Sequence, residues 1–172
     1  MTNRPPTTPT SIDLDAFVAA DYTRVIAAVR RICGTGVDAE DAVQDALVKL
    51  IQRGEQEPPI DSIPAWVTVV ASNSARSGLR RRGSEERALG RLGVAPEATE
   101  STSEGRIDID RALGTLPERQ RQIATLFYLL DLPVAAIATA MSISDGTVKT
   151  QLSRARSSLA TAMGLDGGQT DE

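Results

Sequence analysis

The sequence predicts an all-α fold of two small helical domains joined by a flexible linker, the C-terminal one a helix-turn-helix. Three observations predict it. Apolar residues recur at helical spacing in five stretches, several of those stretches open on capping residues, and a Gly/Ser/Thr/Glu/Pro-rich segment from Gly83 to Arg106 divides the chain. The 172 residues are 41% hydrophobic but only 3% aromatic, so the cores must be built from Ala, Val, Leu and Ile.

Residues 1–12 are rich in Pro and Thr without an apolar run, and are expected to be a disordered tail. The first folded element is predicted over about Asp13 to Ile32, where Leu14, Phe17, Val18, Val25, Ile26, Val29 and Ile32 keep helical spacing; Gly34-Thr35-Gly36 ends it. Asp38 then caps a second helix, with Glu40 and Asp41 favoured in its first turn. Ala42, Val43, Ala46, Leu47, Leu50 and Ile51 make its apolar side, and Asp41, Gln44, Asp45 and Lys49 its polar side, which taken alone reads as solvated surface. After a Pro/Glu loop, Pro64 starts a third helix at Ala65, apolar in its first half and crowded with Asn73, Arg76, Arg80, Arg81 and Arg82 in its second. Cations suit a helix C-terminus, yet three adjacent arginines repel one another, and a polyanion would relieve that cost. These elements make an N-terminal domain of residues 13–82, followed by a linker of residues 83–106.

The second domain spans residues 107–163. Pro117 pre-sets a helix whose apolar stripe is Ile123, Leu126, Phe127 and Leu130, interrupted at Pro133. Val134 to Met141 forms a short helix, and only Ser142 and Ile143 separate it from Ser144, an N-cap with Asp145 behind it. The helix that starts there runs to about Met163 and has two unlike faces. Val148, Leu152, Ala155 and Leu159 form a narrow apolar stripe; Thr150, Ser153 and Ser157 lie opposite, flanked by Lys149, Arg154 and Arg156. Two helices joined by so short a turn make a helix-turn-helix. The polar face suits a DNA groove, with cations at its edges for phosphates and short hydroxyls between them for base edges. The other reading is a helical hairpin with a solvated basic face. Residues 164–172 form an acidic tail.

Charge is distributed unevenly around a net −4. Residues 60–82 hold four cations against one anion, whereas residues 1–59 hold six against nine. With no histidine and the single cysteine Cys33, a disulfide framework and a Cys/His zinc site are excluded; Cys33 reads as a small buried hydrophobe. No nucleophile motif or glycine-rich phosphate loop is present, so no enzyme and no cofactor is expected. No apolar segment is long enough to span a bilayer, which points to a cytoplasmic protein without membrane insertion.

These residues resemble a known family. Asp38-Ala39-Glu40-Asp41-Ala42-Val43-Gln44-Asp45-Ala46-Leu47 looks like the second conserved-region helix of bacterial sigma factors, and Pro64-Ala65-Trp66 through Asn73 to the arginines resembles the helix after it. Leu116-Pro117-Glu118-Arg119-Gln120-Arg121, Gly146-Thr147-Val148-Lys149 and Leu152-Ser153-Arg154-Ala155-Arg156 are similar to the family's C-terminal helix-turn-helix. Two domains with nothing between them is the layout of the extracytoplasmic-function group. The resemblance implies a protein that binds core RNA polymerase and directs it to promoter DNA, and that is usually held inactive by an anti-sigma factor. Carried over by position, it implies polymerase docking through Asp41, Gln44 and Asp45. Start-proximal promoter contacts would come from Asn73, Arg76, Ser77, Arg80 and Arg81, and upstream contacts from Thr147, Lys149, Thr150, Ser153, Arg154 and Arg156. Three positions depart from the family's pattern: Ser77 stands where Asp is common, Gln151 where Arg is, and Ser142 where the bend has Gly. Kept unchanged, that bend requires a positive φ at Ser142. The rival readings are a DNA-binding regulator that works without polymerase and a protein-interaction module.

Overall fold

The computed structural model describes residues 14–34, 36–53, 57–88 and 104–164. Eight helices are found among them: α1 (Leu14–Ala20), α2 (Tyr22–Cys33), α3 (Ala39–Ile51), α4 (Ile63–Ala88), α5 (Glu104–Thr115), α6 (Glu118–Tyr128), α7 (Val134–Met141) and α8 (Asp145–Ala162). The all-α expectation holds. The tail of residues 1–12, the middle of the expected linker and the acidic tail beyond Gly164 lie outside the described residues.

Local signals set most helix ends. The Asp38 carboxylate accepts from the Glu40 and Asp41 N–H groups, both at 3.1 Å, and starts α3. Ser144 Oγ accepts from the Thr147 N–H at 3.2 Å and starts α8. Gly34 closes α2 at φ 79°, its N–H bonded to the Arg30 carbonyl. Three differences from expectation fall in the N-terminal half, and α5 starts at Glu104 inside the expected linker. The first element is broken at Asp21 into α1 and α2; Asp21 adopts φ −120° and its carboxylate pairs with Arg24 rather than capping. The third helix begins at Ile63, two residues before the expected Ala65, because Ser62 Oγ accepts from the Ala65 N–H and caps it. It also passes through Gly83 to Ala88, since each of its two interior glycines, Gly78 and Gly83, costs only about 1 kcal/mol relative to alanine and a 26-residue helix absorbs that.

Each half is built around a helix that its neighbours cover. In the N-terminal half, α2 and α3 lie on α4, and Val25, Val29, Ile32, Val43, Leu50 and Val67 are fully or almost fully enclosed. In the C-terminal half α6 lies on α7 and α8 through Ile123, Leu126, Ile137, Val148 and Leu152. Each such side chain contributes about 1.5–3 kcal/mol on burial. The two halves are not independent. α2 packs against α5 and α6, and α4 against α7, so that one apolar cluster runs from Phe17 through Val67 to Leu152. A smaller cluster of Leu116, Ala124 and Ala155 closes the far end of α8.

Candidate polymerase and nucleic-acid interfaces

Three exposed surfaces carry the residues singled out in the sequence. On α3, Asp41, Gln44 and Asp45 are exposed. Ile51 does not belong to the buried side of this helix as expected; it is 65% exposed, and Val48 is 50% exposed. The stripe of Ala42, Val43, Ala46 and Leu50 already fills the space over α4, so the next apolar position falls outside it. α3 thus presents an acidic and amide edge beside two exposed aliphatic side chains. Lys49 is drawn away from this edge, its Nζ donating to Ser74 Oγ on α4 at 2.7 Å.

α4 brings Asn73, Ser77, Arg80 and Arg81 to the surface, and Asn73, Ser74, Ser77, Gly78 and Arg81 line an open groove of about 390 Å³. Arg76 is placed differently from these four. Its side chain is buried, 2.6 Å from Glu118 of α6, and its guanidinium donates to Asn73 Oδ1 at 2.7 Å and Gln122 Oε1 at 3.2 Å. Nothing in local sequence signals this pairing, because Glu118 and Gln122 lie more than forty positions away. Cys33 sits below this region, half-buried, with its Sγ 3.7 Å from the Ser72 carbonyl. Burial pushes the thiol above its ordinary range, while the positive charge of Arg76 opposes the shift.

The helix-turn-helix is formed by α7, a two-residue turn and α8. Ser142 takes the left-handed conformation at φ 53° and ψ 48°. The Ile143 N–H bonds to the Ala138 carbonyl at 3.0 Å and the Ser142 N–H to the Thr139 carbonyl at 3.1 Å, the paired bonds of a Schellman end. The bend is therefore kept with serine in glycine's place. Beyond it, Val148, Leu152 and Ala155 are buried under α8, and Lys149, Thr150, Ser153, Arg154 and Arg156 are exposed above it. Thr147 is half-buried, its hydroxyl 2.9 Å from Ser144 Oγ, which ties it to the cap. Thr150 Oγ1 donates to the Gly146 carbonyl at 2.9 Å, so its oxygen stays available as an acceptor. Gln151, half-buried, lies toward the inner side. Tyr128, half-exposed at the end of α6, is a partner the sequence reading missed: its hydroxyl accepts from Arg156 Nε.

Among the described residues there is no group of three or more His, Cys, Asp and Glu that could hold a metal ion, and no helix long and apolar enough to cross a membrane.

Comparison with known proteins matches the chain in two segments. A family model described as Sigma-70 region 2 matches residues 17–85, and one described as Sigma-70, region 4 matches residues 106–159. The chain is 31% identical over 136 residues to the ECF RNA polymerase sigma factor SigF of Caulobacter vibrioides, covering 78% of this chain and 76% of that one. It is 31% identical over 132 residues to the ECF RNA polymerase sigma factor SigM of Mycobacterium tuberculosis, covering 76% of this chain and 66% of the relative. Among solved structures it resembles the sigma factor RpoE of Bartonella quintana, crystallised with the anti-sigma factor NepR, with a TM-score of 0.70 and 24% identity over 91% of this chain and 99% of that one. CnrH in complex with the cytosolic domain of CnrY is similar at a TM-score of 0.61 and 21% identity, over 89% of this chain and 88% of that one.

Proposed function

Because the chain belongs to the ECF RNA polymerase sigma factors, we propose that it binds core RNA polymerase and directs it to initiate at specific promoters. The observation that carries the reading is the pairing of two basic, hydroxyl-bearing helix faces, one on each half of the chain, with an acidic and aliphatic face on α3. In this reading Asp41, Gln44 and Asp45 dock on the polymerase, with Val48 and Ile51 burying beside them. α4 meets the start-proximal element through Asn73, Ser77, Arg80 and Arg81, with Arg76 added once its side chain is released. α8 lies in the major groove of the upstream element: Lys149, Arg154 and Arg156 contact phosphates, and Thr150 and Ser153 reach base edges. Thr147, tied to the Ser144 cap, meets the upstream element at the N-terminus of α8. An anti-sigma factor is a further expected partner, in keeping with the RpoE relative solved bound to one.

Neither DNA face is strong alone. Each offers a handful of cations, which by itself supports only non-specific affinity of about 10⁻⁴ to 10⁻⁶ M. Polymerase would hold both at fixed spacing and convert two weak contacts into one bivalent event. The test is assembly: the purified chain mixed with core polymerase should co-elute with it on gel filtration, and the mixture should protect promoter DNA that neither component protects alone. A chain that stays apart from core polymerase and binds a specific duplex unaided would instead be a stand-alone regulator.

A further inference from the structure

We propose that Ser84, near the end of α4, is a phosphorylation site for a serine kinase that selects arginine ahead of its target, and that a phosphate there cancels the basic end of the helix. The second clause rests on the DNA face proposed above; the first does not.

Ser84 follows Arg80, Arg81 and Arg82, with Gly83 alone between. Guanidinium groups two and three residues ahead of a hydroxyl suit an acidic kinase cleft, because each can pair with a carboxylate while the serine reaches the nucleotide. All three arginines and Ser84 are exposed.

Exposure is not enough, since a kinase cleft takes its target extended. This end of α4 can supply an extended segment at little cost. Arg76 is the last buried side chain of the helix as far as Ser84, so from Ser77 onward no enclosed core resists local opening. Gly83, next to the target, lowers the helical preference further. Opening gives up the 2.9 Å bond from Ser84 Oγ to the Arg80 carbonyl and frees the hydroxyl.

Ser157 shows the contrast. Arg154 and Arg156 precede it by three residues and one, and it is exposed, with Oγ donating to the Ser153 carbonyl at 3.4 Å. Yet it lies between Ala155, fully buried, and Leu159, packed on the same small cluster, so extending it would pull α8 off Leu116 and Ala124.

In the transfer, Ser84 Oγ attacks the γ-phosphorus of ATP. The Oγ–P bond forms as the bond to the β-phosphate oxygen breaks, ADP leaves, and the hydroxyl proton passes to the base of the kinase. The product carries about −1.5 to −2 charge at neutral pH. Arg81 and Arg80 stand one helical turn back, so the phosphate pairs with two cations proposed to meet start-proximal DNA and takes the place of a DNA phosphate. Arg81 also lines the groove shared with Asn73 and Ser77, so the new charge acts at its rim.

The experiment treats the full chain with γ-labelled ATP, magnesium and the catalytic subunit of a cyclic-AMP-dependent kinase as the arginine-directed probe, and maps the label by mass spectrometry. Wild type should be labelled on Ser84; Ser84→Ala should lose most of the label and Ser157→Ala almost none. A native chain that takes no label, or label that Ser84→Ala leaves in place, overturns the site. Binding of a fluorescein-labelled duplex without polymerase then tests the consequence. The phosphorylated chain should bind at least about threefold more weakly than the untreated one, with the salt slope lowered by roughly one unit per neutralised arginine. Untreated Ser84→Ala should bind as wild type does; a loss equal to that of the phosphorylated chain would assign the effect to the hydroxyl and overturn the charge argument. Equal affinity and slope after phosphorylation, or an untreated chain that does not bind the duplex, overturn the second clause while the labelling result stands.

Discussion

Arg156 on α8 donates through Nε to the Tyr128 hydroxyl on α6 at 2.6 Å, and the Tyr128 ring stands edge-on to Phe127 with centroids 5.0 Å apart. A cation at the rim of the proposed reading helix is thus aimed by a side chain anchored in another helix. Tyr128→Phe keeps the ring contact and frees the guanidinium. The upstream-element affinity of the polymerase complex should fall by about 0.5–1.5 kcal/mol, the net worth of one hydrogen bond, with the melting temperature little changed. Filter binding on a promoter fragment measures it, and an unaltered affinity would remove the positioning role of Tyr128.

The turn before α8 gives a pair of opposite stability effects. Ser142→Gly should stabilise the protein by roughly 1 kcal/mol, because glycine relieves the left-handed strain that serine bears at φ 53°. Ser144→Ala should destabilise it by about 1 kcal/mol through loss of the bond to the Thr147 N–H. Urea unfolding measures both. Destabilisation by Ser142→Gly would mean that the hydroxyl makes a contribution the backbone angles do not reveal.

The α3 surface separates stability from docking. Gln44→Ala with Asp45→Ala touches exposed side chains and should change unfolding free energy by no more than about 0.5 kcal/mol. The same variant should lose affinity for core polymerase in a competition assay against wild type. Intact competition would return these residues to plain solvated surface.

Cys33 gives the pH arm. Its folded pKa is raised, chiefly by burial, so at alkaline pH the folded chain holds a proton that the unfolded chain has released. Its contribution to stability is full below the ordinary thiol range and is lost as pH rises through the folded value. Stability should therefore decline more steeply on the alkaline side in wild type than in Cys33→Ala, and alkylation of the native thiol should be slow until the chain unfolds. Identical alkaline limbs would contradict the assigned burial effect.

What was legible in the sequence is what the chain decides locally. The Asp38 and Ser144 caps, the Val148/Leu152/Ala155 stripe and the positive φ demanded of Ser142 each depend on residues within about two turns, and each appears in the fold. Less legible were features set at a distance. Ile51 shares the helical period of its neighbours, yet α4 leaves it no room. Arg76 reads as one more cation in a basic run, and only the packing of α6 against the N-terminal half makes it the partner of Glu118. Asp131, at φ 52°, closes α6 with the Leu132 N–H bonded to the Leu126 carbonyl, a helix end that Pro133 alone did not locate.

The central claim, that this chain gives core polymerase its promoter choice, is tested most directly by run-off transcription with purified core enzyme, followed by sequencing of the start sites. The expected result is initiation at a discrete promoter set only when the chain is present. Thr150→Ala or Ser153→Ala should then shift preference at the upstream element by about 1–3 kcal/mol per lost base contact. Initiation that is unchanged by the chain, together with tight specific duplex binding by the chain alone at physiological salt, would contradict it.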